Sequence, residues 1–280
     1  MMKASLLARR AGLTVSILIL FLLFCYLFFP TAKIDTVIAQ VLLRQGLTLT
    51  PAVHKTLLPG LGWDNLLLSS EQGPLLHSES LRVRPLLLPL FAGRVVISGS
   101  ATIGNGHLDV RYALNGKAAL DMAADGVSLT EIPFFKSVLG AKAAGSLWSQ
   151  GTLKRGAKGL SGDLKLEVKQ LELSGVKLGA FSLPDVANLK TQGMVRVSDG
   201  NARLESFTFE GDGIYMRISG DLPSGANAGI TPLNMTLEIM PKPEFLEKQK
   251  LVFMLLAKFM SSPGVYKVPI RGTLLKPVII

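Results

Sequence analysis

His107-Leu108-Asp109-Val110-Arg111-Tyr112-Ala113-Leu114-Asn115-Gly116 is the stretch that decides the fold. In an extended chain Leu108, Val110, Tyr112 and Leu114 share one face, and Asp109, Arg111 and Ala113 the other. Asn115-Gly116 then supplies residues that accept the positive φ of a tight hairpin. The same signature recurs outward from this point. Asn105-Gly106 lies ten residues before and Asp125-Gly126 ten after, a spacing that predicts a meander, and Asp199-Gly200 adds a later turn. Period-two hydrophobicity returns in Leu164, Leu166 and Val168, in Ile214, Met216 and Ile218, and in Leu233, Met235, Leu237 and Ile239.

The phase slips twice. Leu164-Leu166-Val168 gives way to Leu171-Leu173, and Ala202-Leu204 to Phe207-Phe209. A one-residue slip sends every later side chain to the opposite face, so each slip predicts a bulge or bend and a strongly curved sheet. Ser161-Gly162-Asp163-Leu164 and Ser219-Gly220-Asp221-Leu222 form a loose internal echo. Two apolar segments read as helices instead: Glu131 to Leu139, and Pro243 to Met260, whose core Leu251 to Ala257 is too short to span a bilayer. Packing across the sheet is the simpler expectation for the second, and an interfacial helix lying on lipid the sharper one.

Before the β region, Ala11 to Phe29 carries no charge. Nineteen residues at ~1.5 Å each reach ~28 Å, close to a hydrocarbon core. Leu13, Ile17, Leu20, Phe21, Phe24 and Phe28 are among the apolar residues expected to face lipid, and Pro30 ends the run. A cleaved signal peptide has a shorter apolar core and a small-residue site directly after it, so a retained anchor is expected. Lys3, Arg9 and Arg10 before the run place the N-terminus in the cytoplasm. The expected layout is a cytoplasmic N-terminus (1–10), a transmembrane signal anchor (11–29), a linker helix (30–46) capped by Asp35 and ended by Gly46, and a β-rich domain (47–280). The expected fold class is mainly β: an N-terminal transmembrane helix, then an elongated, curved, largely antiparallel β-sheet domain with a few helices. A seam within it is conceivable near Lys154 to Lys158.

Composition narrows the function. The 280 residues are 48% hydrophobic with a net charge of +10, and the only cysteine, Cys25, lies in the apolar run. No intramolecular disulfide or thiolate metal site is open to such a chain. His54, His77 and His107 show no ligand spacing, so no metal and no cofactor is expected. The basic charge is not interleaved with aromatics as in nucleic-acid binders, and anionic lipid is the simpler partner. Neither a nucleophile elbow, a phosphate-binding loop nor a zinc motif occurs. Asp109, Asp121 and Glu210 are carboxylates on the polar faces of alternating strands, where charge is the default, so catalytic residues are expected to be absent.

The C-terminal string Gly264-Val265-Tyr266-Lys267-Val268-Pro269-Ile270-Arg271-Gly272-Thr273-Leu274-Leu275-Lys276-Pro277 carries a resemblance. With the single anchor and the β-rich layout, its Pro269, Gly272, Thr273, Leu274 and Pro277 resemble the type II secretion system protein GspN family, and more widely the AsmA-like periplasmic proteins. The resemblance implies a non-enzymatic, single-pass protein of the bacterial inner membrane with its bulk in the periplasm, working beside other secretion-system proteins. The AsmA-like side implies lipid held in an apolar β-groove instead. Leu108, Val110, Leu164, Leu166, Ile214, Met216, Leu233 and Leu237 are the residues expected to line that groove or to fill a core. Filling is the simpler expectation, since the two apolar helices are long enough to cover the face.

Overall fold

The computed structural model describes Tyr26 and residues 30–57, 59–116, 118–178, 181–224 and 229–279. The apolar run 11–29, with Leu13, Ile17, Leu20, Phe21, Phe24 and Phe28, lies outside the described residues except for Tyr26. Among the described residues, no helix is long and apolar enough to cross a membrane.

From residue 30 on, the described elements begin with helix α1 (Thr31–Leu43), followed by β1 (Leu47–Thr50), β2 (His54–Lys55), β3 (Leu61–Ser70) and β4 (Gly73–Pro85). A one-turn helix α2 (Leu87–Phe91) precedes β5 (Val96–Ile103), β6 (Gly106–Ala113) and β7 (Ala118–Ser128). Helix α3 (Phe134–Leu139) leads to β8 (Lys142–Arg155) and β9 (Leu160–Ser174). A short hairpin, β10 (Lys177–Leu178) with β11 (Phe181–Ser182), precedes β12 (Val186–Ser198), β13 (Asn201–Gly211), β14 (Ile214–Leu222) and β15 (Asn234–Pro241). Helices α4 (Pro243–Lys248) and α5 (Lys250–Leu256) come before β16 (Met260–Ser262), β17 (Val265–Thr273) and β18 (Lys276–Ile279).

The protein is mainly β. Among the described residues, sixteen strands form one antiparallel sheet in nearly sequential order, from β1 and β3 through β9, then β12 to β15 and β17, with β2, β16 and β18 at the margins. Such a meander follows from the short turns: each hairpin brings the next strand alongside the last. The expected seam at Lys154 to Lys158 is the turn of the β8–β9 hairpin, whose strands pair from Lys142 with Ser174 to Arg155 with Leu160.

Both phase slips are bulges. In β13, Met194 of β12 faces Ser206 while Val195 faces Leu204, so Glu205 is the extra residue. In β9 the register against β8 shifts between Ala144, which faces Glu172, and Ser146, which faces Lys169, and Gln170 takes φ 53°. The bulges restore Leu171 to the face of Val168, and Phe207 and Phe209 to the face of Leu204, which keeps one side of the sheet apolar. The Ser-Gly-Asp-Leu echo is structural too. Gly162 and Gly220 both hold positive φ, and a Cβ on either would stand 2.3 Å from a neighbouring strand's carbonyl oxygen. The following Asp163 and Asp221 pair on the outer face with Arg196 and Arg203, at 3.2 and 3.0 Å.

Some local readings change. Asp125-Gly126 is not a turn: it lies inside β7, where Gly126 (φ 65°) forms a bulge opposite β8. Turns and bulges demand the same positive φ, so the dipeptide alone does not separate them. The first turn falls at Gly104-Asn105, with Ile103 facing Gly106. Asp35 does not cap α1, which begins at Thr31 after Pro30; its carboxylate accepts a 3.1 Å bond from the Val53 amide instead. Pro243 to Met260 forms two short helices and a final 3-10 turn, broken at Gln249.

Candidate functional site

The inward face carries the largest core. Among the described residues it joins eighteen buried side chains of β8, β9, β12 to β15, β17, β18 and the helices. Helix α5 turns Phe253 and Leu256 down against this face, with the Phe253 ring 5.2 Å from that of Tyr266 on β17. Helix α3 brings Phe135 and Leu139 to the same cluster. Beside α3, and with no residue of α4 or α5 in its lining, lies a cavity of about 550 Å³, within the usual size range of ligand pockets.

Leu147 on β8 and Pro277 on β18 line this one cavity. Seven strand-to-strand steps separate them, about 34 Å on a flat sheet, so the sheet bends around the space into a trough. The floor is built from strand residues of one parity: Leu166, Val168, Phe207, Met216, Met235 and Leu237. The lips are Phe134 and Phe135 of α3, Leu183 and Pro184 after β11, and Leu274 with Pro277 of the last hairpin. Leu274 remains 41% exposed, which places an opening to solvent there. Among the described residues, no charged side chain lines the cavity. A surface of this kind loses ordered water cheaply and favours apolar chains without fixing their orientation.

The sequence-expected residues divide. Leu166, Met216, Leu233 and Leu237 line the trough. Ile214 is buried beside it, and Leu164 packs in the adjoining cluster with Leu153 and Val195. Leu108 belongs to a separate small cluster around Ile103 and Val127. Val110 is half-buried on β6 and joins none of the clusters. Missed from sequence were the lips: Ile132 and Phe134 showed as helix residues, and Leu183-Pro184 carried no period at all.

The closing string builds the trough's last wall. Pro269 faces Thr236 on β15. On the other side of β17, β16 pairs only as far as Tyr266 and the pairing with β18 begins at Ile270. Pro269 thus occupies a local edge, where a missing N–H does no harm. Gly272 (φ 85°) accepts a 2.7 Å bond from the Leu233 amide, and a Cβ there would stand 2.3 Å from Lys276 O. Thr273 pairs with Lys276 to close the hairpin, and so aims Leu274 and Pro277 at the opening.

The outer face is different in kind. A hollow of about 740 Å³ there is larger than the trough, but Lys165, Glu167, Gln192 and Thr208 line it, the ordinary outward row of alternating strands. Asp109, Asp121 and Glu210 are exposed on strands, with Asp121 facing Arg111 and Glu210 facing Lys190. Among the described residues no three of His, Cys, Asp and Glu stand together as a metal would require. His54 lies 3.5 Å from Asp64, half-exposed, at the far end of the sheet.

No protein-family model matches the chain, no curated protein matches it, and no solved structure matches its fold.

Proposed function

We propose that this chain is a non-enzymatic, membrane-tethered component of the bacterial envelope, of the type II secretion kind that GspN represents, and that its β domain works by holding apolar ligand in the trough. The ligand part rests on one observation: a cavity of about 550 Å³, open at Leu274, whose lining is apolar on every side. A filled core leaves no such space, since interiors pack at crystal density. An acyl chain suits it because such a chain needs volume and apolar contact and no polar partner. The tether would be residues 11–29, with the bulk of the chain in the periplasm and membrane lipid at hand.

The secretion part is supported by the anchor-plus-sheet layout and by the Pro269 to Pro277 string. An open sheet margin, such as the four-residue β18, offers backbone groups for strand addition by another secretion-system protein. Nucleic acid is not proposed as a partner, nor a cofactor, nor a metal. An AsmA-like role in lipid transfer outside any secretion machine is the second reading, favoured by the trough itself.

Two experiments test these parts separately. Full-length protein purified in mild detergent is expected to retain phospholipid or fatty acid by mass spectrometry, and Leu183→Trp, which crowds the lips, is expected to reduce it. Finding no lipid on either protein removes the ligand part. Deletion of the gene is expected to strand exported proteins in the periplasm with the envelope intact. Normal export combined with a leaky envelope favours the lipid-transfer reading instead.

A further inference from the structure

The described residues carry a second apolar feature, far from the trough. In the loop from β4 to β5, Leu86-Leu87-Leu88-Pro89-Leu90-Phe91 projects Leu88 and Phe91 at 84% and 90% exposure, with Leu87 and Leu90 also exposed. Leu57, in the β2–β3 loop, is fully exposed as well. Scattered exposed leucines need no explanation, but a cluster of five on adjoining loops does.

The loop is ordered. The Leu86 amide donates to Val96 O (2.8 Å), and that of Arg94 to Pro89 O (2.9 Å). Asn115, from the β6–β7 turn, clamps its base by donating to Gly93 O (2.7 Å) and accepting from the Val95 amide (2.9 Å). Apolar side chains are therefore held outward on a fixed backbone and do not collapse onto the sheet.

Position and charge indicate what covers them. Leu61 pairs with Val83, so the start of β3 and the end of β4, where α2 begins, share one end of the sheet. At that same end the Tyr26 hydroxyl lies 2.6 Å from Thr56 O and 3.0 Å from Gly60 O, and the Lys55 ammonium sits 5.8 Å from its ring. Tyr26 belongs to the 19-residue uncharged run. Arg82, Arg84 and Arg94 are exposed around the loop, and no carboxylate pairs with them among the described residues. Apolar tips ringed by arginines, beside a tyrosine, are the composition that partitions to the interface of an anionic bilayer.

We infer that Leu57 and the Leu86–Phe91 loop form a membrane-docking face that inserts into the headgroup boundary of an anionic bilayer. Docking holds the first strands of the sheet against the membrane at a second point besides the tether. The placement of the face rests on the tether reading of 11–29; the exposed loop and its arginines do not.

The test uses the full chain in nanodiscs containing phosphatidylglycerol. In a Cys25→Ser background, single Leu88→Cys, Phe21→Cys and Lys165→Cys variants carry an environment-sensitive fluorophore. Bilayer nitroxide lipids are expected to quench roughly half the emission or more at 88 while aqueous iodide quenches little, with the pattern reversed at 165. Arg84→Glu with Arg94→Glu is expected to restore iodide access at 88. Quenching at 88 by iodide alone overturns the inference, and so does shielding from both quenchers, which would mean a protein covers the loop. Quenching at 21 but not 88 refutes the docking face and keeps the tether. Quenching at 88 but not 21 refutes the tether and keeps the docking face.

Discussion

The two halves of the sheet handle the same alternating pattern differently. From β8 to β18, long strands bend around a shared interior, and most of their inward residues join one large cluster of eighteen, with a second of four beside it. From β1 to β7 the inward rows break into two small clusters of three buried residues each, one around Trp63 and Leu66 and one around Ile103 and Val127. Bulges occur in both halves, at Leu68–Ser69 and Gly126 in the first as well as at Gln170 and Glu205 in the second; alternation and bulges make a sheet, and what makes an interior here is that the strands from β8 to β18 share one space. The β8–β18 half closes on a cavity. The first half keeps its surplus apolar residues on loops.

This contrast is breakable by mutation. The largest effect is expected at Ile239, fully buried in the central cluster: Ile239→Ala is expected to cost about 4 kcal/mol, because neighbours fixed from strands and helices alike cannot collapse into the gap. Leu66→Ala, in a three-residue cluster, is expected to cost about 2 kcal/mol by the same denaturant titration, since fewer neighbours hold the void open. Equal losses at the two sites would mean the halves are packed alike. Gly272→Ala combines a positive φ with a clash at Lys276 O, and a loss of about 2 to 3 kcal/mol is expected. Reduced lipid retention should accompany it, because the hairpin aims Leu274 and Pro277.

Asn115→Ala removes two hydrogen bonds from the base of the docking loop, and about 1 kcal/mol is expected. The informative readout is amide exchange, with faster exchange confined to Val95 and its neighbours. The smallest effect is expected at Arg196, which bridges Asp163 and Glu205 on the half-exposed outer face. Arg196→Ala is expected to change stability by about 0.5 kcal/mol or less. A loss near 2 kcal/mol there would assign the outer charges a structural part that the geometry does not.

Much of this architecture was legible beforehand, for a physical reason. Period-two hydrophobicity is dictated by which side of a strand meets water, so 108–114, 164–168, 214–218 and 233–239 announced themselves, and the slips at Leu171 and Phe207 announced the bulges. What positive φ means is not local: Asp199-Gly200 turned the chain, whereas Asp125-Gly126 kinked a strand that continued to Ser128. Asp35 read as a cap because capping chemistry suits it, yet its carboxylate went to Val53, a partner 18 residues away. Of the expected groove residues, those on β9, β14 and β15, and Leu233 just before β15, reach the trough or its flanks, while Leu108 and Val110 on β6 are not in its lining. The docking loop shows neither period in the sequence, because Pro89 breaks its six residues and its helix is a single turn; a short apolar run of no period is the signal it carries.

The most direct test of the central claim places a photoreactive benzophenone residue at Met216 on the trough floor, and separately at Thr208 on the outer face, of the full-length protein in its native envelope. On irradiation, a covalent adduct with the mass of a phospholipid or fatty acid is expected at position 216 and not at 208. Adducts at neither position, or equally at both, would contradict a lipid-holding trough.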